Sequence, residues 1–293
     1  MNDFTEEKAL ADLSWAELVE ELRVERLDEA GEWPALPELH HRGGGAELAL
    51  TLQLTHSDDP EDRTMGADIL GQFGVPSRTK EEWERAYKDG ALNNGTFHEE
   101  TVNELLRLLD DDVPSVLNAA AVGLGHRGDP RAVEPLSKLV DHPDADVRNG
   151  VVFGLLGHED PLAVKSLITL SHDEDEDVRD WATCGLGSLI DTDTPEIRQA
   201  LVDRLEDPFD DAREEAIWGL AHRGDKRAIG PLLGFWERDL VGVLTYEAAA
   251  ALADPVLLPK LKEQKEESKD WPADFEYLRV FLDDALKACS ATP

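Results

Sequence analysis

The spacing of apolar and polar positions repeats along the middle of the chain, from Arg131 to Trp236. Each copy contains a short apolar helix pattern, a turn rich in Asp, and a second helix pattern that opens on an apolar residue followed by Arg. The three Arg positions are Arg148, Arg179 and Arg213, which are 31 and 34 residues apart. This period with two helices per copy predicts a stack of helix pairs, because one pair alone cannot bury its apolar face.

The second helix of each copy carries a narrow apolar stripe. In the copy that contains Arg179, the positions at helical spacing are Val178, Ala182, Gly185, Leu186 and Leu189. We expect this stripe to be buried, and its small residues to allow neighbouring helices to approach closely. Weaker copies of the pattern flank the central ones, with Leu117 one period earlier and Thr245 after Arg213.

Short polar motifs mark the predicted helix ends. The tripeptide His-Arg-Gly occurs at 41–43, 126–128 and 222–224. Its Gly suits the left-handed position after a helix at 126–128 and 222–224, and its basic residues suit the negative end of the helix dipole. The aspartates predicted to cap the following helices are Asp129, Asp144, Asp175, Asp210 and Asp225. Local structure therefore accounts for these residues, and we expect no metal site among them.

This repeat pattern resembles the HEAT-like repeat family over residues 46–255. The resemblance implies an all-α fold, a right-handed superhelical α-solenoid of about six helix pairs. We expect one continuous domain with an N-terminal helical cap at 1–45 and a C-terminal helical cap at 256–293. The family resemblance further implies that Arg148, Arg179 and Arg213 form a structural ladder, in which each Arg bonds its own copy to the turn of a neighbouring copy.

One stretch departs from the repeat spacing. Arg63 aligns with the later Arg positions, but Leu117 follows it by 54 residues, 23 more than the later period of 31. The excess is the segment 75–97, for which the sequence predicts a short helix from Lys80 to Lys88 and a loop rich in Gly and Asn. Insertions in solenoids lie in loops on one rim, where function is often added, although a neutral insertion fits equally well.

Charge narrows the possible partners. The chain has 64 acidic and 29 basic residues, a net charge of −35, and such a surface repels nucleic-acid backbones. Attraction to a cationic partner, mimicry of nucleic acid, and solubility or salt adaptation all remain open, and the even spread of acids along the chain favours the last. Two distant cysteines, the lack of a long apolar run and the lack of a leader predict a cytoplasmic protein.

Several aromatic and acidic residues occupy equivalent positions of the second helices. By the family resemblance, the residues two, three and six places after the opening apolar position line the concave face. The candidate partner-binding residues are Phe153, Trp181, Trp218, Tyr246, Asp180, Glu214, Glu215 and Glu247. Ring faces among carboxylates suit a cationic or amphipathic peptide. The alternative is that these rings pack against the next repeat, since rings at helical spacing commonly form core.

These positions also bear on enzymatic chemistry. Deoxyhypusine hydroxylase resembles this architecture but carries His-Glu pairs in the slots that here hold, for example, Asn149-Gly150 and Asp180-Trp181. We therefore expect no catalytic residue, metal or cofactor, and interpret the chain as a non-enzymatic, monomeric scaffold that binds a basic or amphipathic partner segment. An immunity or inhibitor protein for a cationic toxin is a sharper form of this hypothesis. A HEAT-like lyase acting in the groove, similar to the phycobilin lyases, is the alternative class.

Overall fold

The computed structural model of the chain describes residues 9–26, 32–75, 97–238 and 240–291. These residues form α-helices and short 3-10 turns joined by loops, with no strand among them. The all-α prediction is thereby confirmed. The predicted helix from Lys80 to Lys88 lies outside the described residues.

The helices begin and end where the periodic pattern and its caps place them. In chain order they are α1 (Trp15–Glu25), α2 (Ala35–His41), α3 (Gly45–Thr55), α4 (Pro60–Gly71), α5 (His98–Leu108), α6 (Pro114–Arg127), α7 (Val133–Ser137), α8 (Ala145–Leu155), α9 (Pro161–Leu170), α10 (Glu176–Ser188), α11 (Pro195–Asp203), α12 (Asp210–His222), α13 (Ile229–Glu237), α14 (Val243–Leu252), α15 (Leu258–Glu267) and α16 (Leu278–Ser290).

The chain divides into two compact units, residues 1–155 and residues 156–293. In the first unit, α3 pairs with α4, α5 with α6 and α7 with α8, and the second helices α4, α6 and α8 pack on one another in sequence. In the second unit, α9 pairs with α10, α11 with α12, α13 with α14 and α15 with α16, and α10, α12, α14 and α16 stack likewise. A single continuous domain with separate caps stays a prediction.

The apolar stripe of α10 forms core for most of its length. Val178, Ala182 and Leu186 are completely buried. Leu189 is 46% exposed, contrary to the prediction, because α10 ends at Ser188 and the next residue no longer follows the helical spacing. Gly187 and Ile190 on either side of it are buried, so Leu189 is the single position at which the stripe leaves the core.

Glycines set the distance between α10 and α12. A Cβ built on Gly219 would lie 2.6 Å from the Cα of Gly187, and a Cβ built on Gly187 would lie 2.9 Å from the carbonyl oxygen of Glu215. Such distances are shorter than real Cβ contacts, so neither position has room for a larger residue. The two helices can therefore cross backbone against backbone, which brings the side chains beside the crossing close together.

The His-Arg-Gly motifs end their helices as predicted and also tie them to the preceding helix pair. Gly128 and Gly224 are left-handed, with φ of 59° and 66°. Arg127 donates to the carbonyls of Leu70 and Phe73. Arg223 donates to five backbone carbonyls at 2.8 to 3.1 Å, those of Leu186, Gly187, Ile190, Thr192 and Gly219. The guanidinium thus satisfies carbonyls that the end of α10 leaves without partners.

The Arg at the start of each second helix makes contacts that differ between copies. Arg179 donates from Nε to Asp207 at 3.1 Å, in the turn before α12, and from Nη1 to the carbonyl of Asp173 at 2.9 Å. Arg148 donates to carbonyls of its own turn, that of His142 at 2.8 Å. Arg213 donates to the carbonyl of Asp207. Arg179 joins two helix pairs through its contact with Asp207, and the guanidinium of Arg213 lies 5.6 Å from the ring centroid of Phe235 on α13, in the next helix pair.

The caps of the second helices follow the prediction at two positions and fail at a third. Asp175 accepts hydrogen bonds from the backbone N–H of Asp177 and Val178, and Asp144 accepts one from Asp146. Asp210 does not cap α12, since it is the first helical residue and forms an ion pair with Arg238 at 3.1 Å. Asp207 accepts a hydrogen bond from the N–H of Phe209 instead, because Phe209 occupies the N-cap position that Asp175 holds before α10, and Asp210 lies one residue later.

Candidate functional site

Two adjacent helices of the second unit bring most of the predicted site residues together. Asp180 and Trp181 lie on α10, and Glu214, Glu215 and Trp218 lie on α12. The helices pack directly on each other, and the glycine crossing described above lies against the backbone of Glu215. We call these five residues, together with Cys184 and Asp211, the α10/α12 face.

Asp180 is a strongly perturbed carboxyl group on this face. Its Oδ1 atom is inaccessible to solvent and accepts no hydrogen bond from any residue that the structure describes. Burial raises the pKa of Asp180 to about 6, and the neighbouring carboxylates of Asp211 and Glu215 contribute to the increase. A carboxylate is thus held ionised at neutral pH in a place that disfavours its charge.

The surrounding groups reinforce the negative potential. Glu214 has a raised pKa because of burial, followed by the charges of Glu215 and Asp211. Burial, then the charge of Glu215, raises the pKa of the Cys184 thiol to about 12, so that the thiol is protonated at neutral pH. Ser188 donates from Oγ to Oε2 of Glu215 at 2.6 Å.

No base neutralises these acids within the described part of the chain. Asp180, Glu214 and Glu215 form no ion pair with any lysine or arginine among those residues. The arginines next to them in sequence are engaged elsewhere, since Arg179 binds Asp207 and Arg213 binds Asp210. The α10/α12 face therefore concentrates like charges without an internal counter-charge.

The aromatic residues of the predicted site differ in accessibility. Trp181 is 40% exposed. Trp218 is half-buried, and its ring centroid lies 5.3 Å from that of His222 at an angle of 40°. Both indoles can offer ring surface beside the carboxylates, which is the arrangement that attracts cations.

Three further predicted residues lie on other helices. Tyr246 is completely buried, and its ring packs 6.0 Å from that of Trp236, so the prediction that it lines a wet groove is wrong. Tyr246 is core because α13 covers the position that the sequence pattern assigned to the open face. Phe153 lies on α8 in the first unit, and Glu247 lies half-buried on α14.

Two members of the α10/α12 face are missing from the sequence-based site. Cys184 stands six places after the opening apolar residue of its copy, but the candidate partner-binding residues do not include it. Asp211 lies in the first turn of α12 and raises the pKa of Asp180 on the neighbouring helix. Aligning the acids of consecutive second helices, instead of counting from one apolar position, would have pointed to Asp211.

None of the helices that the structure describes is both long enough and apolar enough to cross a bilayer. Within residues 9–26, 32–75, 97–238 and 240–291, no three His, Cys, Asp or Glu side chains are placed to hold a metal ion together.

Each unit consists of successive helix pairs, and the second helices of these pairs stack on one another. This arrangement defines an α-helical repeat scaffold. A family model described as HEAT repeats matches residues 47–156 and 164–253, which is more than half of the chain. The chain therefore belongs to the HEAT-repeat family, as the resemblance predicted.

Individual proteins resemble this chain over a short stretch of sequence or at low sequence identity. Protein YibA of Escherichia coli (strain K12) is 39% identical over 69 residues, which are 24% of this chain and 25% of YibA. The matched stretch thus spans about a quarter of the curated relative's length. The X-ray structure of YibA aligns over 97% of this chain and 99% of its own, with a TM-score of 0.69 and 24% identity. The crystal structure of an engineered protein aligns over 95% and 79%, with a TM-score of 0.53 and 17% identity. These structures show a shared fold.

Proposed function

We propose that the chain is a non-enzymatic protein-interaction scaffold that binds a basic or amphipathic segment of a partner protein on the α10/α12 face. The repeat scaffold itself is consistent with protein binding. The observation that carries the finer proposal is the cluster of Asp180, Asp211, Glu214 and Glu215, which lacks a base, beside two accessible indole rings.

A cationic side chain of a partner would supply the counter-charge that the acids of the α10/α12 face lack. An arginine or lysine placed between α10 and α12 would pair with Asp180 and Glu215 and remove the repulsion between them. Its neighbours in an amphipathic segment would pack on Trp181 and Trp218. The overall charge of −35 would accelerate the approach of such a partner.

Two finer points belong to the same proposal. A cationic toxin neutralised by this chain would be one partner of the required chemistry, because steering by charge favours fast association. We also propose that the chain works in the cytoplasm, since Cys184 and Cys289 are both free thiols.

Titration with a synthetic peptide of alternating arginine and leucine, followed by calorimetry at pH 7.5, tests this proposal. We expect the double variant Asp180→Asn/Glu215→Gln to bind about tenfold more weakly, the loss expected for one charge-assisted contact. The matched control is Glu196→Gln/Glu206→Gln, which removes two charges from exposed positions of the same unit outside the face. This control should change the affinity less than twofold.

The aromatic contribution is tested separately. Trp181→Ala/Trp218→Ala should also weaken the peptide, while Leu162→Ala, which removes another exposed apolar side chain of the second unit, should not. Circular dichroism confirms that each variant keeps its helix content. Equal losses in the face and control variants would show that the peptide binds diffuse charge, and this face would not be the site.

A further inference from the structure

The C-terminal end of the second unit exposes a group of large apolar side chains. Phe275, Tyr277 and Val280 are 47%, 57% and 64% exposed. They lie in the 3-10 turn Ala273–Phe275 and at the start of α16. We call these three residues the C-terminal patch.

The patch lies on a side of α16 that does not face the core. Leu278, Leu282, Ala285 and Cys289 follow one another at helical spacing and are buried where α16 packs on α14. Tyr277 and Val280 are three residues apart and therefore share a different side of the helix. Neither the core nor another described helix covers them, since more than half of each side chain is exposed.

The large apolar side chains that are exposed in the described chain are concentrated in this part of it. Here, four of the nine large apolar side chains exposed in the described chain lie within 256–293, the three patch residues and Val256. This concentration indicates a surface that is covered in use.

The distribution of charge along the chain indicates which partner can cover the C-terminal patch. Residues 256–293 contain six bases and eight acids, whereas residues 1–255 carry a net charge of −33. The bases beside the patch are paired locally, Lys265 with Asp283 at 2.6 Å and Arg279 with Glu276 at 3.2 Å. Two copies of this chain repel each other over the rest of the sequence, but this end is nearly neutral.

We propose that the C-terminal patch is a self-association surface, through which two copies of the chain form a symmetric dimer. In a twofold arrangement the patch of one copy meets the patch of the other. Charged residues of both signs, such as Lys265 and Asp283, can then each face a residue of the opposite sign on the second copy. Tyr and Phe are enriched at protein interfaces for their large contact area. This proposal replaces the monomer expected from the sequence and is independent of the α10/α12 face, with which it shares no residue.

Sedimentation velocity over a concentration series, at low and at high NaCl, tests the proposal. We expect the wild type to show a dimer whose fraction rises with concentration and with salt, because salt screens the repulsion between copies and strengthens apolar burial. Binding of a cationic segment to the α10/α12 face should instead weaken as salt rises, because salt screens the attraction between opposite charges. The binding proposal and the dimer proposal can therefore fail or succeed separately.

Val280→Glu should raise the dimer dissociation constant at least about tenfold, because it places a charge in the apolar contact. Tyr277→Ser, which adds no charge, should weaken the dimer in the same direction. Leu162→Glu is the matched control, with the same change at an exposed leucine of α9, and should leave the dimer unchanged. All three positions are exposed, and circular dichroism verifies folding.

Three results would overturn the proposal. A wild type that stays monomeric at every concentration would mean that another protein or another segment covers the patch. A dimer that Val280→Glu leaves intact would place the interface elsewhere. A dimer that weakens as salt rises would mean that ionic contacts, and not the apolar patch, hold the copies together.

Discussion

The crossing of α10 and α12 at Gly187 and Gly219 offers a quantitative test of how the scaffold positions its acidic face. In Gly219→Ala, the new methyl group would lie 2.6 Å from the Cα of Gly187 and 3.0 Å from Cδ1 of Leu201. Leu201 can rotate away, but the backbone of Gly187 cannot. The helices must therefore separate, which costs about 1–3 kcal/mol in a packed core.

The opposing effect is the better helix propensity of alanine, which is about 1 kcal/mol more favourable than that of glycine within a helix. We therefore expect Gly219→Ala to lower the free energy of unfolding by up to about 2 kcal/mol. The matched control is Gly234→Ala in α13, where a Cβ would meet nothing within 4 Å. This variant should gain about 0.5–1 kcal/mol from propensity alone.

Urea denaturation followed by circular dichroism measures both variants, and the two midpoints should move in opposite directions. Gly219→Ala should also lower the pKa of Asp180, since separated helices hold Asp211 and Glu215 farther away; NMR titration of the Asp180 carboxyl measures this. If both alanine variants were stabilised equally, the close crossing would not be a constraint, and our account of the crowded carboxylates would be wrong.

Two further predictions concern single side chains. Arg223→Met should destabilise the chain by about 3 kcal/mol, because four carbonyls of the preceding helix pair lose a charged donor. The exposed Arg227, replaced in the same way, should change the unfolding midpoint little, and equal effects would contradict the capping role. Asp180→Asn should be more stable than wild type at pH 7.5, and the difference should vanish near pH 4. The reason is that the folded state raises the pKa of Asp180 from 3.8 to about 6, so wild-type stability is lost as pH rises through that interval. Urea midpoints across this range measure the effect, and a variant no more stable than wild type at pH 7.5 would show that the carboxylate is not strained.

Local signals predicted much of the fold. The helix pattern, the left-handed Gly128 and Gly224, and the cap at Asp175 depend on residues within one turn of each other, so the sequence specifies them directly. The failure at Asp210 is also local, because Phe209 takes the N-cap position and Asp210 becomes the first helical residue.

The candidate site could not be predicted fully, because it depends on contacts between different helices that a local sequence pattern does not contain. Tyr246 stands two places and Trp181 three places after the opening apolar residue of its helix, and the sequence pattern assigned both to one face. Tyr246 is nevertheless core, where its ring packs against that of Trp236, whereas Trp181 is 40% exposed. The raised pKa of Asp180 depends first on burial and then on carboxylates of α12, and the local pattern contains neither.

The contacts of Arg223 have a consequence for how the second unit comes apart. In a linear repeat array, cooperativity depends on the strength of the junction between neighbours, and a weak junction lets one end melt while the other persists. Arg223 lies at the end of α12 but holds the end of α10 and the loop that follows it. The last turn of α10 therefore cannot fray while α12 remains folded. Amide hydrogen exchange should show these two helix ends opening together, as one cooperative segment.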